Sequence, residues 1–255
     1  MGVFSPLQLA RRPVRSRVLV VYHVEPAALA RRLPGDVKPR LVGGRAIAVL
    51  CYTRLGTLGS RFLPHRGACS NHLSYRFLVE RTRKGELVPE TWVARRETSS
   101  RLGAGLGEKL LGQDHGRSTF EVREDPLGLS LSVSSERGEE FYLRAEPCAT
   151  SSSRFLPTAR EVEALLDSCG DVHPSDFLAP EADAIDVRNV AAEPLTVFEI
   201  RSSFLGDPRC FPEGSATFDS AWRLVTQRLE PIREPKFARA SVLRRGAPSQ
   251  AFPAC

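Results

Sequence analysis

The chain has 255 residues, 42% hydrophobic and 26% charged, which suits one large β domain of a globular protein. No run approaches the ~20 apolar residues of a membrane helix, and the apolar stretch Val18-Leu19-Val20-Val21-Tyr22 is only strand length and lacks a signal-peptide pattern, so a cytoplasmic protein without a membrane partner is expected. The net charge of +6 is spread over short arginine pairs interrupted by acids, with no basic run of five and no aromatic-basic signature, which argues against a nucleic-acid partner.

Residues 1–16 read as a loosely ordered lead-in, 17–243 as a single domain, and 244–255, with Gly246, Pro248 and Pro253, as a loose tail. Arg17 to Val24 is β-branched and apolar, a first strand, and Glu25-Pro26 opens a short helix over Ala27 to Leu33 that Pro34-Gly35 ends. Val37 to Val42 and Arg45 to Tyr52 flank Gly43-Gly44, a two-residue hairpin signal. The second arm, Ala46 to Tyr52, is apolar on both faces and should be covered on both. Thr53 to Gly67 predicts a long loop placed over a cavity mouth.

From Asn71 to Glu80 the pattern alternates, with Leu73, Tyr75, Phe77 and Val79 on one face and His72, Ser74, Arg76 and Leu78 on the other. Lys84-Gly85-Glu86 turns the chain into a second arm, Leu87 to Arg95, in which Val88, Trp92 and Ala94 suggest the pairing face. Ser99-Ser100 then caps a helix over Arg101 to Leu111, although Gly103, Gly105 and Gly107 each cost about 1 kcal/mol against alanine there. Strands follow at Arg117 to Arg123, Leu127 to Ser134 and Glu140 to Glu146. A helix spans Thr158 to Cys169, where Thr158 and Glu161 make a capping box. Further strands are predicted at Ala184 to Asn189, Leu195 to Ser202 and Trp222 to Gln227. The sum is a mainly β (α+β) protein, an antiparallel β barrel or sandwich with short helices in its connections.

Few residues carry chemistry. Lysine occurs only at 38, 84, 109 and 236, so an amine able to lose its proton has few places to be. Lys109 is the candidate nucleophile, with a solvated helix lysine as its bland alternative. His72, Ser74 and Arg76 share a strand face and could line a cavity, with arginine's fork matching a carboxylate; the alternative is that this face is the outside of the barrel. Trp92 and Glu108 complete the candidate substrate-binding set. His65, Cys69 and His72 lack an evident fourth ligand for zinc, the glycines at 103, 105 and 107 lack a Walker lysine-serine pair, and no Gly-x-Ser-x-Gly elbow occurs. The six cysteines form no CxxC pair and read as free thiols, and no metal or cofactor is expected.

The run Val18 to Cys51, with its strand, Glu-Pro-Ala helix, Leu33-Pro34-Gly35 and Gly43-Gly44-Arg45-Ala46, resembles the YqjF-like uncharacterised family of bacterial proteins in the acetoacetate decarboxylase-like superfamily. Asn71-His72-Leu73-Ser74-Tyr75 and the Gly105 to Gly112 segment fit the same template, and the likeness spans roughly residues 15 to 230. The resemblance implies an antiparallel, double-layered barrel with an internal cavity that takes a small-molecule ligand. In the decarboxylase branch a lysine, one of an adjacent pair, forms a Schiff base with a β-keto acid, the very enzyme that general accounts of lysine activation cite. Here Gly107-Glu108-Lys109-Leu110 replaces the first of that pair with glutamate, and an acid beside the amine raises its pKa, the opposite of what a nucleophile needs. Two functional expectations therefore stand: a lyase-type enzyme acting through Lys109, or a non-catalytic binding or structural protein that kept the fold. Self-association into a homo-oligomer is left open.

Overall fold

The computed structural model describes residues 14–55, 69–100, 115–153, 155–168 and 190–226. Twelve strands, β1 (Val14–Val24), β2 (Val37–Pro39), β3 (Leu41–Val42), β4 (Arg45–Leu55), β5 (Ser70–Arg83), β6 (Glu86–Thr98), β7 (His115–Arg117), β8 (Thr119–Glu124), β9 (Leu129–Ser135), β10 (Gly138–Pro147), β11 (Val190–Ser202) and β12 (Ala216–Thr226), form one sheet. Among the described residues, three helices lie in the connections: α1 (Pro26–Ala30), α2 (Ala159–Ser168) and α3 (Ser203–Gly206).

The order across the sheet is β7-β6-β5-β4-β1-β12-β11-β10-β9-β8, with β2 on β5 and β3 on β4. Among the described residues every pairing is antiparallel except β6 with β7. The two ends of this order, β7 and β8, are consecutive in the chain with only Ser118 between them. A sheet whose first and last strands are joined by one residue must curl until its edges meet, so the sheet is a nearly closed barrel. Contacts across its interior agree: Ser16 on β1 donates to Glu124 on β8 at 2.9 Å, and the rings of Tyr52 on β4 and Phe120 on β8 lie 6.4 Å apart.

The inner faces pack into one core that includes Val18, Val20, Tyr22, Leu50, Tyr52, Leu73, Tyr75, Phe77, Leu131, Phe141 and Leu143. A second, smaller core lies on the other face of the same strands, where Leu19, Val21, Ile47, Val49, Leu78, Trp222 and Leu224 are covered by Leu156 and by Val162 and Leu165 of α2. Two covered faces explain why β1 and β4 are continuous apolar runs rather than alternating ones. Central placement of the Ala46 to Tyr52 arm, expected from that run, is what the structure has, with β4 between β1 and β5.

Local chemistry places these elements. At Gly43 and Gly44 φ is +56° and +79°, and a side chain at Gly43 would meet the Phe155 ring at 2.4 Å. Of the predicted capping box the Glu161 half forms, its carboxylate accepting from the Thr158 amide at 2.8 Å and from the Thr158 hydroxyl at 2.6 Å, while the Glu161 amide bonds the Thr158 carbonyl at 3.2 Å. Ahead of α2, Ser153 donates to Asp219 at 2.5 Å and accepts from the amides of Phe155 and Leu156, pinning the cover to β12.

The structure also revises several boundaries. The strand predicted over Arg117 to Arg123 is divided at Ser118, whose amide bonds the Thr98 carbonyl at 3.0 Å, because there the chain passes from one edge of the sheet to the other. α1 ends at Ala30, and the helix predicted to reach Leu33 continues only as a turn, in which the Arg32 amide bonds the Leu29 carbonyl at 2.9 Å. The predicted glycine-broken helix, the strand at Ala184 to Asn189 and most of the Thr53 to Gly67 loop lie outside the described residues.

Candidate active site

Antiparallel pairing sets Tyr75 opposite Arg95 and Leu73 opposite Glu97, so Arg95 and Glu97 share the inner face of β6. Trp92, opposite the inward Phe77, also faces inside. In a regular strand residues 92 and 95 would point to opposite faces; a β-bulge, with Ala94 as its extra residue, brings both inward. A second bulge does the same on β10, where Glu139 pairs with Ser134 and Phe141 with Val133, leaving Glu140 unpaired and turned inside beside Phe141.

The result is a charged cluster in the barrel. Arg95 donates from Nε to Glu97 Oε1 at 2.7 Å, and its Nη2 lies 2.7 Å from the same oxygen and 2.9 Å from Glu140 Oε1. Ser118 donates to Glu97 Oε2 at 2.5 Å. Glu140 also accepts from Ser135 and, at 2.7 Å, from Ser203. The Tyr75 hydroxyl reaches the Glu140 carbonyl at 3.4 Å, and the Arg95 guanidinium lies 6.0 Å from the Tyr75 ring centre. Glu97 is 0% exposed and Glu140 3%, whereas Ser203 is exposed, so the cluster runs from the surface at α3 to a fully buried carboxylate. A Cβ on Gly116 would come within 2.2 Å of Glu97 Oε2, so only glycine leaves room for this carboxylate.

Burial opposes the charge on Arg95, but its hydrogen bond to Glu140 and the charges of Glu97 and Glu140 outweigh it and hold the guanidinium above its usual pKa. Burial likewise opposes ionisation of Glu140, and the hydrogen bonds from Ser135, Arg95 and Ser203 overcome it, holding that carboxyl below its ordinary range. Burial pushes the Tyr75 phenol up. Two carboxylates meet one guanidinium, so with both ionised these three side chains carry an excess negative charge.

The predicted site residues divide among three places. Trp92 lies inside, its ring 5.9 Å from Phe77. His72, Ser74 and Arg76 lie on the opposite face of β5, the side of Leu78 and the α2 cover: Ser74 donates to the Cys51 carbonyl at 3.5 Å, Arg76 Nε to Ser74 at 2.8 Å, and His72 Nε2 is 2.9 Å from Ser70. The expected set is thus not gathered, because the period of two that unites those three keeps them apart from Tyr75, Phe77 and Trp92. Lys109 and Glu108 fall in 101–114, outside the described residues, which begin again at His115, paired with Arg96 and one residue before Gly116. Arg95, Glu97 and Glu140 escaped the sequence reading, because neither bulge interrupts the alternation in any way a residue pattern shows.

No protein-family model matches the chain, and no curated protein does either. Solved structures similar to it include the enduracididine biosynthesis enzyme MppR complexed with pyruvate, at 14% identity and a TM-score of 0.48 over 82% of this chain and 84% of that one. The acetoacetate decarboxylase from Legionella pneumophila has 11% identity and a TM-score of 0.47 over 85% and 84%. An acetoacetate decarboxylase-like enzyme from Sphingomonas wittichii RW1 has 11% and 0.46 over 83% and 88%. At such identities and scores these likenesses assign no activity to this chain.

Proposed function

We propose that the barrel binds a small carbonyl or carboxylate compound and acts on it as a lyase, with the amine of Lys109 forming an imine. The observation that carries this reading is the Arg95–Glu97–Glu140 cluster. Taking three charges out of water costs several kcal/mol per ion, and a buried ion cluster is poor evidence for stability alone, since apolar packing of similar volume serves as well or better. A cluster with one carboxylate in excess suits a reaction in which a cation forms inside the barrel. Attack of the amine on a ketone carbonyl with loss of water gives an iminium. In a β-keto acid the bond to the carboxylate carbon then breaks, its electron pair passing to the iminium nitrogen, and carbon dioxide leaves. Glu97 and Glu140 stabilise the cation, and Arg95 fixes both carboxylates. The resemblance of the sequence to the acetoacetate decarboxylase-like superfamily supports the same assignment, and Trp92 supplies apolar surface to the ligand.

Borohydride reduction in the presence of a panel of β-keto acids tests the reading. An adduct mass on the peptide containing Lys109, absent from a Lys109→Arg variant, is expected. A protein that forms no adduct with any keto acid is a binder or a structural relic instead.

A further inference from the structure

The seam of the barrel leaves one strand edge open. β7 lies beside only the end of β6, Arg96 to Thr98, and the Ser118 amide bonds the carbonyl of Thr98, the last residue of β6, at 3.0 Å. β8 therefore starts where β6 stops, and among the described residues it pairs only with β9. Burial shows which side is open: Leu131 and Val133 on β9 are 0% exposed, whereas their partners Val122 and Phe120 on β8 are only half-buried. Thr119, Glu121 and Arg123 alternate with these and are exposed on the outer face. Among the described residues no ion pair engages Glu121 or Arg123.

The two ends of β8 set its hydrogen-bonding phase. The Asp125 amide bonds the Gly128 carbonyl across the hairpin at 3.0 Å, while the Ser118 amide points to β6. Alternation along the antiparallel ladder then turns the backbone groups of Thr119, Glu121 and Arg123 to β9 and those of Phe120, Val122 and Glu124 to the open side. Such an edge is a template for another chain, and proteins commonly blunt it with proline, lysine or a bulge. β8 has none of these; its six residues pair with β9 in unbroken register. Its outward charges differ in sign, so they select a partner strand rather than repel every one. We propose that β8 pairs antiparallel with β8 of a second copy of the chain about a two-fold axis at Val122, joining the two sheets edge to edge. Of the three open positions, Val122 is the one that overlaps the whole strand. Glu121 then stands opposite the second copy's Arg123 in a non-hydrogen-bonded pair, where side chains approach most closely, and the symmetry makes that contact twice. The pairing goes beyond the proposed function and requires no imine.

Sedimentation velocity over a concentration series tests it, with hydrogen exchange of the β8 amides as a second readout. A monomer–dimer equilibrium is expected, in which the Phe120, Val122 and Glu124 amides gain protection as concentration rises. Glu121→Arg and Arg123→Glu each set like charges opposite one another at both contacts, so each alone should raise the dissociation constant about tenfold or more, about 1.4 kcal/mol. Both side chains are exposed, so each variant should keep the native circular dichroism. Mixing the two variants sets opposite charges against each other again at both contacts, and the mixture should associate about as tightly as the native chain. A chain that stays monomeric at every concentration, a dimer indifferent to both substitutions, weakened variants that do not associate when mixed, or β8 amides whose exchange ignores concentration would each overturn the pairing.

Discussion

Replacing Gly116 with alanine probes the interior cluster without touching a charge. Its backbone φ is not in the left-handed region, so alanine is conformationally acceptable there and any cost is steric. The added Cβ would stand 2.2 Å and 2.6 Å from the two oxygens of Glu97 and 2.7 Å from its carboxyl carbon. The carboxylate must retreat, yet it is fully buried and is held by Ser118 at 2.5 Å and Arg95 at 2.7 Å. Losing or stretching two hydrogen bonds to a charged group, each worth about 1.5–3 kcal/mol, predicts a destabilisation of roughly 3–6 kcal/mol. Urea unfolding followed by circular dichroism measures it, as a lowered midpoint at unchanged slope. In a Glu97→Ala background the clash has no counterpart, so the same substitution should cost less than about 1 kcal/mol, a coupling of at least 2 kcal/mol in the double-mutant cycle. A cost within about 0.5 kcal/mol in the native background, or an equal cost in both, would show that Glu97 does not sit where the cluster requires.

Two further outcomes follow from the same structure. Because the folded chain holds the Glu140 carboxyl below its unfolded value of about 4.3, its contribution is complete above that pH and lost as pH falls through the lower folded value. Urea midpoints measured from neutrality into acid should therefore decline less steeply for Glu140→Gln, and an identical acid limb would refute the assignment. Ser153→Ala removes the hydroxyl that joins Asp219 to the amides of Phe155 and Leu156, so it should cost about 1–3 kcal/mol and raise amide exchange along α2; exchange unchanged there would show the cover held by packing alone.

Features set by neighbouring residues were legible in the sequence. The Gly43-Gly44 turn, the Thr158–Glu161 capping box and the doubly apolar run of β4 each announce themselves within a few positions. The alternation of β5 was equally clear, but not which face would meet the interior, since the outer face is also covered, by α2. The interior cluster was invisible for a sharper reason. Alternation carried from Val88 through Trp92 points Arg95 outward, and only the extra residue Ala94, evident from the register against β5, reverses it. Glu140 is hidden the same way behind the Glu139–Phe141 bulge. The strand predicted from Leu195 starts earlier, at Val190, because Pro194 lies beyond the last β10 partner, Pro147 opposite Leu195, where a missing amide disturbs no ladder on that side. At four residues, α3 is too short for any periodicity to reveal, though it brings both Ser203 to the cluster and Phe204 to Arg32.

The central claim is that charge buried in this barrel serves an amine reaction, and mass spectrometry after borohydride reduction meets it most directly. With β-keto acids present, the account predicts an adduct confined to Lys109 in the native chain, diminished in Glu97→Gln and missing in Lys109→Arg. A native protein that stays unmodified with every keto acid, or an adduct scattered over Lys38, Lys84 and Lys236 alike, contradicts it.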